Sequence, residues 1–179
     1  PMMWPPNLDV GLEAVGDFSP GPFNFPNGCQ VAEVEVDPDT GFVRLDRMYV
    51  ANDVGTVINP MLLEGQMHGG LAQGIGQAMF ENIVYDETGQ LLSGSLVDYA
   101  LPRATDIPNM QIEYYEGAPT KKNPLGVKGS GEAGCVGAPP AVVNAVLDAL
   151  KPFGVVDLEM PLTPERVWKA IQKAVNKAA

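Results

Sequence analysis

Lys128-Gly129-Ser130-Gly131-Glu132-Ala133-Gly134 is a stretch of nearly bare backbone around one carboxylate, and it opens an apolar-periodic run from Ala141 to Leu150. Glycines accept positive φ and let another group approach the main chain closely. A helix that begins after such a loop has free N–H donors and partial positive charge at its head. A glutamate seated there stands at the mouth of a site, with its proton affinity open to tuning by neighbours. Three readings compete. Gly129, Gly131 and Gly134 fit the G-x-G-x-x-G string of a dinucleotide site. Against that, no long buried strand leads in, no acidic residue at the right distance begins a following βα unit, and a carboxylate inside the loop would repel a pyrophosphate. The loop could also be a purely structural helix start. The reading the residues favour makes Glu132 a catalytic carboxylate.

Upstream, Asn59-Pro60 starts a helix, since asparagine caps and proline suits the first turn. The pattern carries it to about Asn82. Gly65, Gly69, Gly70, Gly74 and Gly76 lie inside it, each costing about 1 kcal/mol relative to alanine, so something must come close to this backbone. Gln66, Gly70, Gln73 and Gln77 share one face, which would suit a polar, heteroatom-rich cofactor. The competing explanation is tight helix packing through Gly65/Gly69 and Gly70/Gly74. Glutamines and Glu64 exclude a membrane helix here. His68 is the only histidine, with no second ligand at metal spacing beside it. It reads as a surface or packing residue, and no side-chain metal site is expected.

Around these two stretches the chain reads as α+β, with antiparallel hairpins packed against about three helices. Residues 1–28 are rich in proline and glycine and read as an extended lead-in that needs a partner surface for order. Cys29–Val36 and Phe42–Val50 alternate about Asp37-Pro38-Asp39-Thr40-Gly41, a strong hairpin signal. A second hairpin is expected at Ile83–Leu92 around Asp86–Gly89. Short strands are expected at Ser95–Pro102, Met110–Tyr115 and Val155–Val156, a helix from about Pro140 to Leu150, and a last helix after Thr163-Pro164 that ends near Lys177.

A length of 179 residues suggests one domain, and 45% apolar residues support a real core. A net charge of -11 disfavours nucleic acid and anionic membranes as partners. No apolar run looks long enough to cross a membrane and no signal peptide is visible. Cys29 and Cys135 form no CxxC pattern, which excludes a zinc or iron–sulfur site built from them alone and a disulfide framework. A cytoplasmic, reducing compartment is the default. The chain begins at Pro1, so it is expected to be a piece of something longer.

The string Gly65-Gln66-Met67-His68-Gly69-Gly70-Leu71-Ala72-Gln73-Gly74-Ile75-Gly76-Gln77-Ala78 resembles the glutamine-bearing glycine helix of the molybdenum hydroxylases: the large subunits of xanthine dehydrogenase, aldehyde oxidoreductase and aerobic carbon monoxide dehydrogenase. Gly126 to Glu132 and Asn144 to Asp148 resemble their active-site loop and the helix after it. Val31–Asp37, Asp98–Pro102 and Pro161–Glu165 match in the same order. The resemblance spans nearly the whole chain and the last quarter or so of such a subunit. It implies a C-terminal part of the molybdopterin-binding domain over residues 29–179. It implies a molybdenum–molybdopterin cofactor shared with a missing upstream domain, and iron–sulfur and FAD groups on other domains or subunits. Glu132 would be the general base toward the water-derived oxygen that is added to an aldehyde, N-heterocycle or similar small carbon centre. Gln66 would hydrogen-bond the pterin with Gly70 and Gln73 beside it, and Lys128, Gly129, Ser130 and Gly131 would supply further contacts. The family's upstream Gly-Gln-Gly segment and arginine loop have no counterpart here. The special cysteine of the carbon monoxide enzymes sits in an upstream loop that neither Cys29 nor Cys135 occupies. Expected partners are therefore the remainder of the large subunit, the iron–sulfur and flavin parts, and a small-molecule substrate. The alternative is a non-catalytic binding or assembly module that keeps the scaffold.

Overall fold

Asp37 and Gly41 close the hairpin that the rest of the chain packs on. The Gly41 N–H donates to the Asp37 carbonyl at 2.8 Å, and Gly41 holds φ +73° with Pro164 and Trp168 backbone pressed against it, so a side chain there has neither room nor a favourable backbone. The computed structural model describes Gly11, residues 13–19, Gly21 and residues 23–178. Strand β1 (Asn27–Val36) pairs antiparallel with β2 (Val43–Asp53). The expected lead-in 1–28 falls partly outside the described residues, and β1 begins two residues before the expected boundary.

A bulge opposite Glu33 and Val34 inserts Asp46 into β2. Strict alternation would turn Met48 outward after Leu45. The extra residue resets the phase, so Leu45 and Met48 both face the core.

Strand β3 (Asn109–Tyr114) lies on the other side of β2 and runs parallel to it. The sheet is therefore mixed: the expected α+β class with three helices is found, and β3 adds a parallel neighbour to the antiparallel β1–β2 hairpin. At Ile83–Leu92 the turn forms as expected, with Asp86 Oδ1 accepting from Thr88 and Gln90. Pairing there stops at a single bridge, Tyr85 to Leu91. Ser95–Pro102 is a turn, not a strand: Ser95 Oγ and the Ser95 carbonyl capture Asp98 and Tyr99 locally, which competes with a ladder. Val155–Val156 forms no strand.

Helix α1 (Pro60–Met79) is capped by Asn59, whose side chain accepts from Leu62 N. It crosses α2 (Ala133–Leu150) through small residues. A Cβ on Gly70 would stand 3.0 Å from Gly134 Cα, and one on Gly74 2.7 Å from Ala138 Cβ. Helix α3 (Pro164–Ala178) starts at Thr163, which accepts from Arg166 N, and sends Val167 and Ile171 into the core with Val43, Leu45, Val142 and Val146. A second cluster, Met48, Val50, Met67, Leu71 and Ala138, fills the end nearer the glycine loop.

Helix α2 starts seven residues before the expected Pro140. Pro139 and Pro140 cannot donate to the carbonyls of Cys135 and Val136, which reads as a break. Gln30 of β1 ties the first turn to the sheet by donating through Nε2 to the carbonyls of Ala133 and Gly134, both at 3.0 Å. With the short turn Lys151–Phe153 that follows, α2 makes an apolar segment of 21 residues with mean hydropathy 1.4. One run thus does reach membrane-crossing length, contrary to expectation. Its inner face, Ala138, Val142, Val146 and Leu150, is fully buried in the core.

Candidate functional site

The loop before α2 hangs from the end of β2 by interlocked backbone. Lys128 N donates to the Val54 carbonyl at 2.8 Å and Thr56 N to the Gly126 carbonyl at 3.2 Å, with Gly55 and Val127 bridged between them. Gly55 and Gly126 both hold positive φ, at +68° and +73°. A Cβ on Gly55 would fall 2.1 Å from the Gly126 carbonyl oxygen. Only glycine permits that crossing. Asn123 brackets Val127 from outside, donating to its carbonyl and accepting from its N–H. Asn24 likewise donates to the Val127 carbonyl and accepts from Gly129 N.

From this anchor the loop runs four residues to Glu132, and its far end is held by α1. Gln66 Nε2 donates to the Gly131 carbonyl at 2.8 Å. Glu132 is the N-cap residue of α2 yet makes no side-chain cap bond. Among the described residues its carboxylate has no side-chain partner, and it is exposed at a cleft of about 700 Å³ that Phe25, Gln30, Asn52, Gly131 and Val136 also line.

The loop separates two hollows. Gly129, Gly131 and Glu132 face the 700 Å³ cleft, while Lys128, Ser130 and Gln66 line a hollow of about 380 Å³ with Thr56 and Leu62. Gln73 is exposed further along α1 and, among the described residues, lines neither. Gly70, expected on the cofactor-facing stripe, is buried against Gly134 instead. Its missing side chain serves the helix seam. Gly65 and Gly69 have nothing within 4 Å of a modest added methyl, so the packing alternative holds for Gly70/Gly74 and not for Gly65/Gly69.

Lys128 is engaged within the chain. Its Nζ lies 2.5 Å from Asp53 Oδ2, with the two side chains only 11% and 14% exposed. The other carboxylate oxygen accepts from Gly55 N at 2.9 Å. The Lys128 ammonium, and then the Gly55 N–H, hold the Asp53 carboxyl below its ordinary 3.8. A carboxylate lowered by the fold stabilises it above that ordinary value and loses the contribution as pH falls through the folded-state value. Asp53→Asn is accordingly expected to lower the denaturant midpoint at about pH 7 and to approach the unsubstituted chain at about pH 3. An equal difference at both pH values would contradict this. Asp37, Asp86 and Glu165 are also lowered, so both proteins weaken in acid and only their difference isolates Asp53.

Sequence reasoning missed Asp53, Gln30, Asn24 and Asn123. Asn123 lies four residues from Val127 and was within reach of a local reading. The others act across about a hundred residues, or 75 for Asp53, where sequence spacing carries no signal. Among the described residues no three His, Cys, Asp or Glu side chains gather as a metal site.

Residues 6–108 match the family model described as molybdopterin cofactor-binding domain. The chain is 42% identical over 173 residues to the nicotine 6-hydroxylase large subunit of Paenarthrobacter nicotinovorans, covering 97% of this chain and 21% of that protein. It is 40% identical over 169 residues to the carbon monoxide dehydrogenase large chain of Hydrogenophaga pseudoflava, covering 94% and 21%. Among solved structures, reconstituted CO dehydrogenase from Oligotropha carboxidovorans superposes with a TM-score of 0.90 at 39% identity, over 97% of this chain and 21% of that one. Quinoline 2-oxidoreductase from Pseudomonas putida 86 gives 0.80 at 44%, over 83% and 19%. The chain spans about a fifth of the length of the curated relatives it matches.

Proposed function

Because the chain belongs to the molybdopterin cofactor-binding domain family, we propose that it is the C-terminal, base-bearing part of a molybdopterin-dependent hydroxylase or dehydrogenase. The whole enzyme oxidises an aldehyde, an N-heterocycle or a similar small carbon centre with water as the oxygen source. The observation that carries this reading is the hydrogen bond from Gln66 to the Gly131 carbonyl. It brings the amide-bearing side of α1 and the Glu132 loop to one place.

The residues present fit such a group. Gln66, Thr56 and Ser130 offer donors and acceptors around one hollow, α1 leaves open backbone at Gly65 and Gly69, and a flat heteroatom-rich ligand needs both. Gln66, Ser130 and the backbone of Gly129 and Gly131 would hold it, with Gln73 further along the helix. When bound, it supplies the two-electron chemistry of molybdenum. Glu132 contributes a carboxylate oxygen that accepts a proton from the water-derived group as that group adds to the substrate carbon. Phe25 and Val136 place exposed apolar surface in the same cleft. Residues 29–179 act as one subdomain, completed by the rest of the large subunit and by parts that carry the iron–sulfur and FAD groups.

Molybdenum and pterin are expected to copurify with the chain when the rest of its polypeptide is present, and to fall severalfold on Gln66→Ala, read by metal analysis and pterin fluorescence. A complete complex that never contains molybdenum would overturn the reading and leave a non-catalytic assembly module.

A further inference from the structure

We propose that Asp53 is a positioning residue for Glu132, acting through Lys128: the pair latches the glycine loop to the end of the central strand and so sets where the carboxylate stands. This rests on Glu132 being the base. The latch has a rigid side and a loose side. On the rigid side Asp53 closes β2, the middle strand of the sheet, and its second oxygen is tied to Gly55 N, inside the glycine crossing that no Cβ would fit. On the loose side, the three residues between Lys128 and Glu132 include two glycines, which resist displacement least. The side-chain bonds that hold them, from Asn24 and Gln66, are exposed. The Asp53–Lys128 pair is the well-shielded contact on this stretch. A largely shielded ammonium also favours a partner, so removing the Asp53 charge drives Lys128 to find another and drags the loop with it. A carboxylate displaced by about 1 Å from its reacting partner loses on the order of a hundredfold in rate.

The test uses the full polypeptide with Asp53→Asn, Lys128→Met, the conservative Asp53→Glu, and the exchange of both residues. Hydrogen exchange followed by mass spectrometry reads the segment 129–133 against the α1 and α2 interiors. The single variants Asp53→Asn and Lys128→Met are expected to speed exchange in that segment about tenfold or more beyond the acceleration that the shared loss of global stability gives the helix interiors, and the exchanged pair and Asp53→Glu to restore much of the protection. In Asp53→Asn kcat is expected to fall at least about tenfold with KM within about twofold and molybdenum content unchanged, and in Asp53→Glu to recover along with the protection. Unchanged loop exchange, or equal acceleration throughout the helices, overturns the latch. A loosened loop with undiminished kcat overturns the positioning role. The exchange result does not depend on turnover, so an enzyme found to use another base would leave it standing and remove only the tie to Glu132.

Discussion

Glu132→Gln lowers turnover of the complete enzyme by a factor of about 10² to 10⁴, the usual contribution of a positioned general base, while molybdenum content stays as it was and folding stability shifts by no more than about 1 kcal/mol. The substitution keeps shape and hydrogen-bonding length and removes only the ability to take a proton. Two observations separate this result from a structural loss. Glu132 stands at the cap position of α2 and makes no cap bond, so the helix does not depend on its oxygen atoms. The side chain is exposed in this chain, so the charge lost at the head of α2 is worth only about 0.3–1 kcal/mol and is screened by salt. A single-turnover measurement of substrate oxidation, beside metal analysis and a thermal scan of the same preparation, checks all three parts. Retention of half the native rate with full metal content would remove Glu132 from the chemistry.

The parts of this reading that were legible in the sequence are those decided within a few residues. Asp37 to Gly41 specifies a turn because the Asp37 side chain accepts from Asp39 and Thr40 and Gly41 supplies positive φ. Asn59 and Thr163 announce helix starts because a cap bond spans three residues. What depends on a distant partner was not legible. The start of α2 was misplaced because Pro139 and Pro140 look like a beginning, while the preceding turn is packed on α1 through Gly134 and tied to β1 by Gln30, both distant in the chain. Strand β3 alternates as any strand does, and nothing in six residues says that its neighbour runs parallel. Gly70 and Gln66 lie on one helix and were read together. Which of them meets α2 and which meets the loop is decided by the crossing of α1 and α2, which brings Gln66 to Gly131, 65 residues away along the chain.

That crossing is where the largest structural effect is expected. Gly134→Val destabilises the chain by about 3 kcal/mol or more, at or above the upper end of ordinary overpacking. A Cβ alone at this position would lie 2.8 Å from the Met67 carbonyl oxygen, 2.9 Å from Gly70 Cα and 2.9 Å from Leu71 N. All three are main-chain atoms, so no rotamer change relieves the clash, and α1 must move away. Met67 and Leu71, both fully buried, lose contact as it does. The same displacement pulls Gln66, one turn earlier, off the Gly131 carbonyl, so cofactor retention falls together with stability. Gly69→Ala on the same helix supplies the opposite sign. Nothing lies within 4 Å of its added methyl, and replacing a mid-helix glycine by alanine stabilises by about 0.5–1 kcal/mol. For a chain of this size, thermal midpoints move by about 2–4 °C per kcal/mol, so Gly134→Val should unfold about 6 °C or more below the unsubstituted chain and Gly69→Ala about 1–4 °C above it. If Gly134→Val unfolds at the native midpoint, the close seam described here is not the one the molecule uses, and the placement of Gln66 beside the Glu132 loop falls with it.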